Sequence, residues 1–403
     1  MDKAFWKSGH TPTLLAAFLY FDLSFMVWVM LGPLAVQIAK ELALDPAQKG
    51  LMVATPVLAG AILRILMGIL VDHLKPKRAG LIGQAVVIGA LTWAWLGGVH
   101  TYHQILALGV MLGFAGASFA VALPLASRWY PPKYQGTALG IAGAGNSGTV
   151  LAALFAPGLA AWLGWHNVFG LALIPLILVL GFYLAMAKDS PECPPAKSLH
   201  AYLSVLKDRD AWWFMFFYSI TFGGFVGLAS SLTIYFNTLY HLPAVQAGYF
   251  TAACVFIGSL VRPAGGVFAD RLGGIRTLSW VYVVAAVFLF IASIGMPTAL
   301  AALAVLAMAM AALGIGNGAV FQLVPQRFRR EIGVMTGWVG MAGGVGGFYL
   351  ASSLGYSYKL TGSYQDGLVV FAALALLALT GLTRIKSRWR TTWGAPEISG
   401  ARV

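Results

Sequence analysis

Twelve apolar stretches, each long enough to cross a roughly 30 Å hydrocarbon core, constrain this chain more than any other feature. They lie at about 13–39, 50–72, 79–98, 103–127, 136–163, 166–187, 212–237, 244–270, 277–296, 299–323, 332–355 and 366–384. A bilayer core offers no water to backbone N–H and C=O groups, so these stretches must be helices that satisfy those groups internally. The expected fold is an all-α integral membrane protein. Composition agrees. Of 403 residues, 59% are hydrophobic and 10% charged, against about 25% charged in soluble domains. That excludes a water-soluble enzyme, a disordered chain and a fibrous one. The first apolar run, from about Leu14, continues as a span, so no cleavable signal is expected.

The formal charge is +13, from 26 Lys+Arg against 13 Asp+Glu. In a soluble protein that excess would suggest nucleic acid. With the N-terminus inside, 21 of the basic residues fall in cytoplasmic loops and termini, and Lys40, Lys49 and Lys359 fall on the other side. Arg64 and Arg262 lie within spans. This bias sets the expected orientation, a multi-pass protein of the cell's inner membrane with both termini cytoplasmic. It also accounts for the charge with no nucleic-acid partner. The basic tail, Arg384 to Arg390, suits the anionic lipid of the bilayer. Trp6, Trp389 and Trp393 flank spans and read as interface anchors.

The longest polar break inside the chain, 188–211, splits the spans six and six. The expected organisation is a bundle over 1–187, a cytoplasmic linker over 188–211, and a second bundle with the basic tail over 212–403. An internal repeat supports it. Gly60-Ala-Ile-Leu-Arg64 through Gly68 to Asp72 and Gly258-Ser-Leu-Val-Arg262 through Gly266 to Asp270 both read GxxxRxxxGxxxD, 198 residues apart. Gly136 to Gly148 and Gly333 to Gly346 repeat a glycine pattern at nearly the same offset. Two matches at one period argue for duplicated halves in parallel orientation. Glycines three and four apart also let helices approach closely, which by itself accounts for any one of them.

Arg64 and Arg262 each lie eight residues, about 12 Å, from the cytoplasmic end of a span. An arginine at that depth is costly and rarely idle. Asp22 is the one acid well inside a span, roughly 13 Å deep; Asp72 and Asp270 sit at span ends. One acid cannot neutralise two arginines, so an anion is the expected ligand. Other polar and aromatic residues share this depth: Tyr218 at roughly 9 Å, Phe119 at roughly 12 Å, Asn146 and Phe222 at roughly 15 Å. A tyrosine hydroxyl and an asparagine amide can donate to an oxyanion. Arginine forks suit a planar trigonal anion.

GxxxDxxxxxR over 68–78 and GxxxDR over 266–271 resemble the loop motif of the major facilitator superfamily. Gly113 to Phe119, Tyr130-Pro131, Gly136 to Gly148, and Gly314-Ile-Gly-Asn-Gly-Ala-Val-Phe321-Gln322 resemble the signature segments of its nitrate/nitrite porter family. The two GxxxR arginines and Tyr218-Ser-Ile-Thr-Phe222 match that family as well, and the resemblance covers essentially all twelve spans. It implies two pseudo-symmetric six-helix bundles that act by alternating access and function as a monomer. It implies that Arg64 and Arg262 clamp nitrate, that Tyr218 and Asn146 hydrogen-bond it, and that Phe119 and Phe222 stack on it. Spans 5 and 11 would gate. Asp72 with Arg78, and Asp270 with Arg271 and Arg276, would form cytoplasmic gate contacts.

Coupling is read from Asp22. An anion bound between the arginines cancels part of their field and should raise proton affinity at a carboxyl nearby, which is the linkage symport needs. The expectation is nitrate/proton symport, with nitrate/nitrite exchange as the alternative. A carrier of carboxylates or sugar phosphates, a passive channel and a membrane enzyme are the other readings weighed. No metal or cofactor is expected. The histidines at 10, 73, 100, 103, 166, 200 and 241 fall in loops or at span ends, Cys193 and Cys254 lie 61 positions apart, and no Walker-type GxxxxGK[ST] occurs.

Overall fold

The computed structural model describes residues 3–191, 198–328 and 331–393. Cys193, Lys197, Arg329, Arg330 and Arg402 lie outside them, and of Lys3, Lys133 and Gly136 the backbone alone is described. The twelve spans appear in order. Span 1 is Thr11–Trp28 continued by Ala35–Glu41; spans 2 and 3 are Pro46–Leu74 and Pro76–Trp95. Span 4 is Tyr102–Gly116 with Phe119–Ser127, and span 5 is Pro132–Gly143, a 3-10 turn Ala144–Ser147, and Gly148–Leu163. Span 6 is Trp165–Met186, span 7 Arg209–Tyr240, span 8 Ala244–Leu260 with Arg262–Leu272, and span 9 Gly274–Ser293. Spans 10, 11 and 12 are Ala299–Arg327, Ile332–Thr361 and Gln365–Thr392. Among the described residues, ten helices are long and apolar enough to cross a membrane. Spans 3 and 11 have 20 and 30 residues but are diluted, one by Lys77, Arg78 and Gln84, the other by its glycines.

Local chemistry sets the helix starts. Asp45 and Gln48 form a reciprocal capping box ahead of Pro46, and Thr101 and Gln104 form another. Span 7 starts at Arg209, inside the break expected to be linker, because Asp208 caps it by accepting from the Asp210 N–H at 2.8 Å. A short helix, Leu199–Ser204, precedes it.

The backbone carries the duplication further than the sequence does. The described residues with positive φ are Ala43 and His241, Lys75 and Gly273, Gly97 and Gly295, Gly164 and Gly362. Each pair is 198 residues apart, the offset of the two GxxxRxxxGxxxD segments. One register therefore runs through both halves.

The halves meet along spans 2 and 11, which run antiparallel. Gly50 faces Gly355, Val57 faces Gly347, Ala61 faces Gly344 and Arg64 faces Gly340. The backbones are so close that a carbon added at Gly344 would lie 2.5 Å from Ala61 Cβ. At the face remote from the termini, Lys359 joins Asp45 at 3.0 Å across the halves. There the Gln48 N–H, and then Lys359, hold the Asp45 carboxyl below its ordinary range, so it stays ionised at neutral pH. Gly32 packs on Ser230 and Gly248 on Ala153 at the same face. On the other side of Arg64 the contact ends. A carbon added at Gly337 or Gly333 would meet nothing within 4 Å, nor would one at Gly140, Gly143 or Gly266. The molecule is shut at the remote face and open toward the face that carries the termini.

Candidate functional site

Three helix interruptions converge at the depth of the arginines. Span 4 breaks at Ala117 and Ser118, just before Phe119; span 5 tightens to a 3-10 turn that contains Asn146; span 8 breaks at Val261, just before Arg262 and Pro263. Such breaks free backbone carbonyls inside a bundle and are tolerated where side chains satisfy them. Arg64 does this at the span 4 break, where its Nε donates to Gly116 O at 3.1 Å, and its Nη1 donates to Gly340 O in the unbroken span 11 at 2.7 Å. One side chain thus spans both halves.

Arg64 is 2% exposed and its guanidinium is walled by aromatic faces. Its central carbon lies 5.3 Å from the Trp28 ring, 5.4 Å from Phe119 and 5.1 Å from Phe222. Phe222 stacks on Tyr218 at 5.1 Å, and the Arg262 Nη2 donates to the Tyr218 hydroxyl at 3.4 Å. The predicted Arg64, Phe119, Phe222, Tyr218 and Arg262 therefore form one continuous chain of contacts. Asn146 is buried at the same level but makes no hydrogen bond to the other five.

Neither arginine meets a carboxylate among the described residues. Arg64 Nη2, Arg262 Nη1, Asn146 Nδ2, Ser118 Oγ and Thr221 Oγ1 are buried without a hydrogen-bond partner among them. An unpaired buried donor costs about 1–3 kcal/mol, and a charged one more. Two uncompensated cations, each with an unpartnered N–H at Arg64 Nη2 and Arg262 Nη1, are what a small oxyanion would satisfy.

Asp22 lies beside this cluster without pairing to either arginine. It accepts from the Ser147 hydroxyl at 2.7 Å and from the Gly148 backbone. The approach is close: a carbon added at Gly148 would lie 1.8 Å from the Asp22 carbonyl oxygen. Ser147 is the residue after Asn146, so Asp22 grips the segment that presents Asn146.

The expected gate residues are partnered differently in this geometry. Asp72 does not pair with Arg78. It pairs with Arg128 at 3.4 Å and accepts from the Tyr202 hydroxyl at 3.2 Å. Burial and Asp72 push the Tyr202 hydroxyl pKa up, so it donates as a neutral phenol. The Trp338 Nε1 in span 11 donates to Tyr202 O at 2.9 Å, so the linker helix straps span 2 to span 11. Arg78, Asp270 and Arg276 are exposed and make no ion pair among the described residues; Arg271 is exposed beside them. Spans 2 and 11 are joined at this face through the linker helix rather than by these residues. Trp389 is no interface anchor either. It is fully buried, stacks on Phe214 at 4.7 Å and donates to Asp210 at 2.8 Å.

Several participants escaped sequence reasoning. Trp28 under Arg64 looks like any span aromatic, and the Gly340 carbonyl has no side-chain signature. Phe321 packs at 4.9 Å on Tyr218 and 6.1 Å on Phe119, joining the halves on the open side of Arg64. Its place in the Gly314–Gln322 segment was its only signal.

Comparison with known proteins bears on the family and the fold. The Major Facilitator Superfamily model matches residues 15–351. A Mycobacterium tuberculosis protein named probable nitrate/nitrite transporter NarK2 is 31% identical over 378 residues, 92% of this chain and 95% of that one. The nitrite extrusion protein of Bacillus subtilis is 31% identical over 353 residues, 87% of this chain and 88% of its own. The crystal structure of a bacterial homologue of the human lysosomal transporter Spinster, inward-facing and occupied, superposes with a TM-score of 0.71. It covers 95% of this chain and 98% of its own at 19% identity, which speaks to fold alone. The chain thus belongs to the Major Facilitator Superfamily, within its nitrate/nitrite porter family, and is a multi-pass membrane transporter rather than an enzyme.

Proposed function

We propose that this protein carries nitrate, with nitrite as a second substrate, across the cell's inner membrane by alternating access, in symport with protons. The observation that carries the reading is the pair of arginines that, among the described residues, meet no carboxylate and each keep an unpartnered N–H. Nitrate is planar and trigonal. Arg64 Nη2 and Arg262 Nη1 supply charged donors, Asn146 Nδ2 a neutral one, and Phe119 and Phe222 exclude water from the anion's faces. A bulky carboxylate or sugar phosphate would have to displace those rings. The names of the relatives support the same substrate class.

Orientation follows from charge: the basic face is taken as cytoplasmic, with both termini there. The present geometry is then inward-open. The bundles of 1–187 and 212–403 would rock about the Arg64 level, breaking the Asp45–Lys359 contact as the other face closes. One monomer contains the whole site.

Asp22 supports symport. It is bound to Ser147 and Gly148 rather than locked to an arginine, so it is available for a proton. Protonation removes its negative charge and weakens its hold on the Asn146 segment, which links proton occupancy to the site. The uncompensated arginines also suit nitrate/nitrite exchange, in which an anion neutralises them on each return step. The test is uptake of labelled nitrate into proteoliposomes, first with a pH gradient, then with internal nitrite. Uptake under the gradient without nitrite is expected. A strict requirement for internal nitrite would replace symport with exchange, and no uptake under either condition would end the nitrate reading.

A further inference from the structure

Asn317, in span 10, belongs to no role given so far. It is 1% exposed, and both its Nδ2 and its Oδ1 lack a hydrogen-bond partner among the described residues. An unpaired carboxamide in a helix interior is costly, and an apolar residue of the same shape would be cheaper. Its neighbours fix its place. A carbon added at Gly316 would lie 2.5 Å from Thr221 Cγ2, and one at Gly318 2.4 Å from the Arg262 carbonyl oxygen. Asn317 therefore sits where span 10 presses on spans 7 and 8. Phe321, four residues on and so on the same helix face, contacts both Tyr218 and Phe119.

The duplication gives an independent argument. Asn317 is 198 residues after Phe119, as Arg262 is after Arg64. The pairs Gly97 with Gly295 and Gly164 with Gly362 bracket this stretch, so the register holds through it. Phe119 lies against the Arg64 guanidinium at 5.4 Å. Asn317 stands to Arg262 as Phe119 stands to Arg64. In the first half that position is an aromatic wall; in the second it is an amide, and the Arg262 Nη1 is likewise without a partner among the described residues.

We infer that Asn317 is a substrate-binding residue: its Nδ2 donates to an oxygen of the bound oxyanion on the Arg262 side. The inference rests on the nitrate reading above. A carboxamide donates without adding charge, whereas a carboxylate would repel the anion.

The test compares wild type, Asn317→Leu, Asn317→Ser and Asn317→Asp in detergent and in proteoliposomes, reading nitrate affinity, uptake KM and unfolding temperature. Asn317→Leu is expected to weaken nitrate binding about 10- to 100-fold while holding or raising the unfolding temperature. Asn317→Ser should recover part of the affinity, and Asn317→Asp should abolish binding. If Asn317→Leu binds as wild type does, or if it unfolds earlier with affinity intact, Asn317 is structural and the inference is wrong. If Asn317→Leu does not fold, wild-type affinity in Asn317→Ser together with Asn317→Asp overturns it equally. Wild type that fails to bind nitrate removes the substrate reading itself, and this inference with it.

Discussion

Replacing Arg64 with lysine keeps one positive charge and removes the planar fork, which isolates what the fork does. Arg64 holds Gly116 O and Gly340 O through Nε and Nη1, and leaves Nη2 for a ligand. A lysine ammonium is a single point with three donors and cannot reach two carbonyls on opposite sides and an anion together. At least one carbonyl contact or the ligand contact must go. A hydrogen bond involving a charged group contributes about 1.5–3 kcal/mol, so at 1.4 kcal/mol per decade nitrate affinity should fall about 10- to 100-fold. Loss of the packed cation–π faces of Trp28, Phe119 and Phe222 acts in the same direction. Arg262→Lys should behave alike, since Nη2 holds Tyr218 and Nη1 is free. Affinity is to be measured by nitrate titration of purified protein, and uptake in proteoliposomes after membrane insertion has been verified. A correctly inserted Arg64→Lys protein with wild-type affinity would refute the clamp, because charge alone would then suffice.

Three further outcomes are expected. Asp22→Asn should abolish nitrate accumulation driven by a pH gradient while sparing counterflow; full proton-driven accumulation in this variant would remove Asp22 from coupling. Gly344→Val should wedge spans 2 and 11 apart at Ala61, at a cost of about 1–3 kcal/mol to the shut remote face. Uptake should fall, and the distance between spin labels on Lys49→Cys and Tyr356→Cys should lengthen; an unchanged distance distribution counts against that packing. Lys75 holds φ at 70° and ψ at 155°, a region suited to glycine, and its counterpart in the other half is Gly273 at φ 95°. Lys75→Gly should therefore stabilise by about 1 kcal/mol after the entropy of glycine is deducted, raising the unfolding temperature by roughly 1 °C. A lower unfolding temperature would show that the lysine side chain contributes more than its strained backbone costs.

What the sequence determined by itself is the part that a bilayer dictates. Span number follows from apolar length, and the duplication from GxxxRxxxGxxxD at one offset. The two arginines stood out because buried charge is too costly to be incidental, and Tyr218, Phe119 and Phe222 were found by depth and resemblance. Partners were not legible. Whether Asp72 meets Arg78 or Arg128 depends on how far the halves stand apart at one face, and one sequence must serve both positions of that gate. Whether Asp22 meets an arginine or Ser147 depends on helix rotation, which hydropathy does not encode. Trp389 reads as an interface residue from its place beyond an apolar run, yet the buried Asp210 draws it inward. Asn317 needed both kinds of information. Its type and offset were in the sequence, but only the tertiary packing of spans 7, 8 and 10 leaves its amide buried and without a hydrogen-bond partner among the described residues.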